Sequence, residues 1–142
     1  MGTPLQSLYD RFQTKVDEDL TGKESLIFAL VDVAISKSYK SVTHSLTYVV
    51  DAPVPPATES YSGFFDADLD LDEIELLALW MVYEWDRREQ QRLVKLRRDI
   101  GTSDFNRLES KKDQLNVVTL AMQVTLSDIK DVVNSMNTYI YE

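Results

Sequence analysis

Apolar residues dominate one central stretch of the chain, residues 74–85, where ten of the twelve side chains are hydrophobic. A cationic stretch, residues 87–98, follows without a break. A helix that is apolar on all sides is buried, whereas a charged one is exposed to solvent. The pattern therefore predicts a central helix over about 71–100 that is buried in its first half and exposed in its second. The predicted core residues of this helix are Leu77, Trp80, Met81 and Trp85.

Apolar spacings of three and four residues predict further helices. Thr3-Pro4 is a typical start for the first of them, with Thr3 as N-cap, and its apolar stripe continues to Leu20. Thr21 and Glu24 form a capping-box pattern that opens a second helix, which ends near Tyr39. Asp70 and Glu73 repeat the capping-box spacing at the start of the central helix.

The C-terminal part of the chain carries the most regular stripe. No glycine or proline interrupts residues 111–142, so a long C-terminal helix capped by Ser110 is predicted, after a short turn or helix at 103–108. Thr125 and Ser127 could instead cap a second helix. The stripe indicates a core-facing surface or, alternatively, a seam between subunits. Its members are Leu115, Val118, Met122, Leu126, Ile129, Val133, Met136 and Ile140.

The period changes to two at residues 41–50, which predicts a strand. Prolines at 53, 55 and 56 end it and predict an exposed loop over 52–63, with a return strand around Ser60 to Phe65. An isolated strand has unpaired edges. Two interpretations are therefore open: strand pairing with a neighbouring subunit, or a local hairpin. The residues that would serve the inter-subunit strand are Val42, His44, Leu46, Tyr48 and Val50.

Together these elements predict a mainly α protein. It is a bundle of four to five helices around the long central helix, with a strand or hairpin and a Pro-rich loop at about 41–65. At 142 residues the chain is expected to form one domain, 1–142. It contains no cysteine, no apolar stretch of about 20 residues and no signal-peptide pattern. We therefore expect synthesis in the cytoplasm and no association with a membrane.

Charge is distributed unevenly along the chain, whose net charge is −9. Residues 63–86 hold eight acids and no Lys or Arg, whereas residues 87–98 hold six Lys or Arg and one acid. Such polarity can orient a molecule against a partner, although two solvated surfaces of opposite sign also explain it. We favour contact with an acidic protein surface over recognition of DNA, because the chain as a whole is acidic. The predicted partner-binding residues are Arg87, Arg88, Arg92, Lys95 and Arg98, together with Tyr139, Ile140 and Tyr141 of the tail.

Catalytic and cofactor motifs are not found. The aspartates at 66, 68, 70 and 72 resemble a calcium loop, but an EF-hand that starts at Asp66 requires Gly at 71 and Glu at 77, where the chain has leucines. His44 is the sole histidine, which leaves no second one for a metal site or a triad. The chain also lacks glycine-rich nucleotide motifs. We expect no cofactor, no metal and no enzymatic activity.

Four passages resemble small neck proteins of tailed bacteriophages, the helical head–tail connector or head-completion adaptors. In these proteins an acidic step opens a helix that reads roughly Leu-Ala-x-x-Met-x-x-x-Trp, and a Ser-Asp-Phe turn precedes a final helix. The resemblance covers about two-thirds of the chain and excludes most of 40–63. The passages are Leu8 to Val16, Phe65 to Ile74, Leu77 to Trp85, and Ser103-Asp104-Phe105 leading to Ser110 and Leu115.

The resemblance implies a structural virion protein rather than an enzyme. Such an adaptor forms a homo-oligomeric ring, usually of twelve copies, which docks on the portal protein after DNA packaging. The ring extends the channel through which genomic DNA passes, without sequence-specific binding, and receives the next neck or tail-completion protein. The alternatives are a tail-completion or stopper protein of the same neck, and an acidic DNA mimic that inhibits a host nuclease. A hydrolase without a recognisable motif is the weakest hypothesis.

Overall fold

The computed structural model describes residues 2–16, 24–51, 62–100 and 105–141. These ranges contain four helices and a two-stranded antiparallel hairpin, which confirms the mainly α class. The helix α3 contacts every other helix and is the centre of the fold. The elements are α1 (Leu5–Gln13), α2 (Glu24–Ser38), β1 (Tyr48–Val50), β2 (Gly63–Phe65), α3 (Leu71–Ile100) and α4 (Phe105–Tyr141).

The first helix differs from its prediction at both ends. Its N-cap is Pro4 rather than Thr3, because the Thr3 hydroxyl accepts a hydrogen bond from the Leu69 amide at 2.7 Å instead of capping α1. The helix ends at Gln13. Of the predicted extension to Leu20, residues 14–16 are described and are not helical, and residues 17–20 lie outside the described residues. Its apolar stripe is buried as predicted, with Leu5, Leu8 and Phe12 in the core.

The second helix is described from Glu24 to Ser38. Its predicted cap, Thr21, lies outside the described residues, so the capping box stays a prediction. Leu30, Val31 and Ala34 are fully buried against the core. The helix thus forms one wall of the bundle, as its apolar face predicted.

The strand predicted over 41–50 is much shorter in the structure. Only residues 48–50 form β1, which pairs with β2 in the register Tyr48 to Phe65 and Val50 to Gly63. The Asp66 amide donates to the Thr47 carbonyl at 2.9 Å just beyond the strands, and residues 41–46 have no strand to pair with in the described part of the chain. A Cβ atom on Gly63 would lie 2.2 Å from the Val49 carbonyl oxygen, and glycine at this position permits the close pairing.

The central helix α3 spans the residues predicted for it. Leu77 and Met81 are fully buried, as expected of core residues. Trp80 and Trp85 are only half-buried, because each lies at the edge of the core, where its ring meets another ring edge-on: Tyr83 for Trp80 and Phe12 for Trp85.

The long C-terminal helix is continuous. It begins at Phe105, so the separate turn or helix at 103–108 and the cap at Ser110 were wrong within the described residues. Leu108 lies seven residues before Leu115 and extends the same half-buried stripe, which favours helix through Ser110. The hydroxyl of Thr125 donates to the Ala121 carbonyl within the helix and does not cap a new one.

Helices α3 and α4 pack antiparallel. Gln90 donates to Thr119 at 3.2 Å, whereas Leu79, earlier in α3, packs with Ile129, later in α4. The predicted stripe of α4 faces this contact, with Met122 and Ile129 buried. As far as Met136, the last member whose side chain is described, it is therefore a core-facing stripe within one chain.

Candidate functional site

The far half of the α3/α4 pair extends beyond the rest of the bundle. The α3 residues that join the main core all lie between Ile74 and Trp85. Of the side chains described for residues 86–99, only that of Leu93 is buried. We call residues 86–99 of α3 and 107–120 of α4 the arm. Its two helices bury little of each other and leave most of their surface exposed.

The predicted partner-binding cations of α3 all lie on this arm and are exposed. Several are engaged within α3 itself: Arg87 and Arg88 approach Glu84 at 3.3 and 4.0 Å, and Arg92 pairs with Glu89. Lys95 and Arg98 have no ion pair within the described part of the chain. Of the predicted partner-binding cations, these two are therefore the ones whose charge is not already paired within α3.

The other predicted partner residues lie at the end of α4. The backbone of residues 137–141 continues the helix, and the side chains of Tyr139, Ile140 and Tyr141 lie outside those that the structure describes. The arm and this end are at opposite ends of the antiparallel pair. The structure therefore separates the two groups of predicted interface residues rather than joining them in one surface.

The five residues predicted for an inter-subunit strand serve different purposes. Val42, His44 and Leu46 are not in a strand, and Leu46 is buried in the chain's own core. Tyr48 and Val50 lie in β1, which forms the local hairpin. The other side of β2 is bridged by Pro4. Pairing of the outer edge of β1 with a second copy stays a prediction, now restricted to three residues.

His44 contacts the buried carboxylate of Glu73 at the start of α3. Its Nδ1 donates to Glu73 Oε1 at 2.6 Å, and the same oxygen accepts the Asp70 amide at 3.0 Å. The His44 amide reaches Glu73 Oε2 at 3.4 Å. Glu73 thus completes the capping box that the sequence predicted and also holds the 41–47 segment against α3. The histidine contact was missed because the two residues are 29 positions apart.

Asp70 lies beside His44 and Glu73, and one potential ligand atom from each of the three residues lies within 4.8 Å of the other two. Among the described residues, this is the group whose spacing is compatible with a bound cation. Both oxygens of Glu73 already accept hydrogen bonds, and the positive end of the α3 dipole lies beside them. The aspartates of the acidic run are exposed around it. The geometry is accounted for by helix capping.

The His44–Glu73 contact shifts both pKa values. The hydrogen bond to Glu73 and its charge raise the pKa of His44 above 6.5, and the charges of Asp70 and Asp68 act in the same direction. Burial acts to raise the pKa of Glu73, but hydrogen bonds from Asp70 and His44 outweigh it and lower the pKa from 4.5. Both groups are therefore charged together in mildly acidic solution.

The contact predicts a decrease in stability at alkaline pH. Because the folded-state pKa of His44 is raised, its contribution is fully present below its unfolded value of 6.5 and is lost as the pH rises through the folded value. On the acid side, the lowered pKa of Glu73 means that stability is lost as the pH falls from 4.5 through its folded value. Urea unfolding across this range should show a maximum between these limits.

The control for this prediction is His44→Gln, which removes the sole histidine of the chain. In this variant we expect the free energy of unfolding to change less between mildly acidic and mildly alkaline pH than in the wild type. An unchanged pH profile would show that the His44–Glu73 contact does not stabilise the fold.

A groove between α3 and α4 is the second feature that the sequence analysis missed. Two open depressions of about 450 and 370 Å³ lie along the same side of the helix pair. The α3 residues that line them, at positions 82, 85, 86, 89 and 93, recur about once per helical turn and therefore share one face of the helix. Val117, Ala121 and Val124 of α4 line the groove from the other side. The sequence does contain a signal for it: residues 114–127 hold no charged side chain on any face.

None of the helices in the described part of the chain combines the length and the hydropathy required to cross a bilayer.

Comparison with known proteins gave no match to this chain among protein-family models, curated proteins or solved structures.

Proposed function

We propose that this protein is a structural component of a tailed-bacteriophage neck. It is a ring-forming adaptor that docks on the portal, joins head to tail and extends the DNA channel. The observation that carries the proposal is the arm: an exposed two-helix projection with apolar and cationic side chains and little core of its own. A surface of this kind is suited to assembly with other protein chains.

Surface charge supports the proposed role as a DNA channel. The chain has a net charge of −9, and the aspartates at 66, 68, 70 and 72 are exposed at the end of the bundle opposite the tip of the arm. Acidic surface repels the phosphate backbone, so DNA can pass without being retained. The proposed partners are the portal protein, further copies of this chain in a ring of twelve, and the next neck or tail-completion protein.

The portal contact is assigned to the C-terminal end of α4, at Tyr139, Ile140 and Tyr141. This end is remote from the arm, so a copy can contact the portal and its neighbours in the ring through separate surfaces. The adaptor is proposed to work without a cofactor and without catalysis. Its site of action is the virion neck, after synthesis and assembly in the host cytoplasm.

Electron microscopy of the chain mixed with the portal protein of its own phage tests this function. We expect a ring of added density on one face of the portal. A chain truncated after residue 137 should lose this density while its circular dichroism spectrum stays helical. Density only at a later position in the neck would indicate the stopper role. A stoichiometric complex with a host nuclease, with no density on the portal, would support the DNA mimic and overturn the adaptor.

A further inference from the structure

The α3/α4 pair carries two different surfaces on opposite sides of α3, and both extend along the arm. The groove is lined by Val82, Trp85, Val117, Ala121 and Val124. A second surface, which we call the ridge, is the exposed face of α3 that carries Gln91, Val94, Lys95 and Arg98. A shallow open depression between these side chains is also lined by Gln90 and Asp99. At 3.6 residues per turn, the ridge lies about half a turn around α3 from residues 82, 86, 89 and 93, which face the groove.

The groove leaves a substantial apolar surface uncovered. Val117 and Val124 are 66% and 62% exposed, although they belong to a segment with no charge on any face. Leu120, on the same side of α4, is 61% exposed. Exposed side chains spaced three and four residues apart form a continuous stripe, which is the pattern of a helix–helix contact. This stripe is distinct from the core-facing stripe of α4.

The borders of the groove are acidic. Asp86, Glu89 and Asp113 lie along it, and the one lysine among its lining residues, Lys15, is neutralised by Glu75 at 2.6 Å. Glu89 is paired with Arg92. Asp86 and Asp113 have no ion pair within the described residues. Burial and the charge of Glu89 raise the pKa of Asp86. A cation placed near this carboxyl group would lower its pKa again, so the ionised form would be favoured by a cationic partner.

The ridge has the complementary character. It presents an exposed valine, Val94, beside the cations Lys95 and Arg98, neither of which has an ion pair among the described residues. One acid, Asp99, borders this surface, so the cations outnumber it. The spacing also fits. From the Gln90–Thr119 contact, Asp113 lies opposite residue 96, about 15 Å along the arm from Asp86. Arg88 lies two helical turns before Lys95 on the same face of α3, and its exposed contact with Glu84 at 4.0 Å is weak enough to be exchanged for another acid. Arg88 and Arg98, ten residues apart, are separated by the same distance of about 15 Å.

We propose that the groove of one copy receives the ridge of a second copy of this chain. Val94 packs on Val117 and Val124, while Arg88, Lys95 and Arg98 approach the acids of the groove. Because the groove and the ridge are different surfaces, the contact is head-to-tail and repeats from copy to copy, which closes into a ring or continues as a filament. The acidic protein surface expected to bind these cations is thus on the chain itself. Closure into a ring rests on the proposed function, whereas the pairwise contact does not.

Sedimentation velocity of the free protein at low ionic strength tests the contact. We expect concentration-dependent self-association that weakens as salt is added, because ion pairs at the border are screened. Val124→Lys in the groove and the double variant Lys95→Glu/Arg98→Glu in the ridge should each lower the association constant at least about tenfold. Matched controls are Tyr39→Lys, a similarly exposed apolar residue just after α2, and Lys112→Glu, an exposed lysine of α4 outside the ridge. Both should associate like the wild type.

Mixing the two variants gives the sharper result. The Val124→Lys protein retains its ridge and the Lys95→Glu/Arg98→Glu protein retains its groove, so an equimolar mixture should form dimers and nothing larger. A symmetric groove-to-groove contact would instead leave the ridge variant fully associated and overturn the proposal. A wild type that stays monomeric at every concentration would overturn it too, and would mean that another protein occupies the groove.

Cross-linking provides a readout that does not depend on weakening the contact. The chain has no cysteine, so Val94→Cys and Val124→Cys introduce the only thiols, both at exposed positions. Oxidation of the double variant should give a ladder of covalent oligomers. Oxidation of an equimolar mixture of the two single variants should give a disulfide-linked dimer in larger amount than either single variant gives alone. Absence of both products contradicts the contact. If rings still form on the portal while neither cross-linked product is seen, the proposed function stands and only this interface is rejected.

Discussion

Replacing Leu77 with alanine is expected to lower the free energy of unfolding by about 3 kcal/mol, because the side chain is fully buried at the centre of α3. The loss combines the transfer free energy of the removed carbons with the cavity that remains among α1, α2 and α3. Chemical denaturation monitored by circular dichroism measures it directly.

The matched control is the same substitution six residues earlier in the same helix. Leu71 is 86% exposed, so Leu71→Ala should change the free energy of unfolding by less than about 0.5 kcal/mol. Equal effects of the two substitutions would show that α3 does not organise the core. Such a result would also remove the basis for the arm, whose exposure is defined against that core.

Replacing Glu73 with alanine is expected to cost about 2 kcal/mol, the second-largest effect. The carboxylate is 1% exposed and accepts hydrogen bonds from the Asp70 amide, the His44 amide and the His44 ring. Alanine leaves these donors without their acceptor and removes the reciprocal half of the capping box. Both the start of α3 and the attachment of residues 41–47 should loosen, which hydrogen exchange at the His44 and Asp70 amides would detect.

Asp72→Ala is the control, since Asp72 lies in the same helical turn, carries the same charge and is exposed. It loses only a favourable interaction with the helix dipole, below about 1 kcal/mol. Glu73→Gln retains an acceptor oxygen without the charge and should fall between the two. If Glu73→Ala cost no more than Asp72→Ala, the capping contact would have no role in stability.

The two features that bear on function were predictable to different degrees. The exposed cations followed from the change of character at residue 87, because a run of arginines and lysines has no place in a core. The groove did not follow, since a valine reads the same in a sequence whether it faces the core or solvent. Val117 and Val118 are adjacent, yet Val117 is exposed and Val118 half-buried.

The sequence by itself determined the local elements of this protein. Periodicity located α3 and the core-facing stripe of α4, and the capping-box residues Asp70 and Glu73 located the start of α3. The capping box at Thr21 and the prolines at 53, 55 and 56 lie outside the described residues. These signals depend on residues within one or two helical turns of each other, so they can be read directly from the amino-acid sequence.

The tertiary structure alone decided which distant residues meet. It placed His44 on Glu73, left residues 41–47 outside the sheet, brought Trp80 and Trp85 to the edge of the core, and separated the groove from the ridge on opposite sides of α3. Each of these outcomes depends on the packing of whole helices against one another, and that packing is a balance over many side chains that no local spacing encodes.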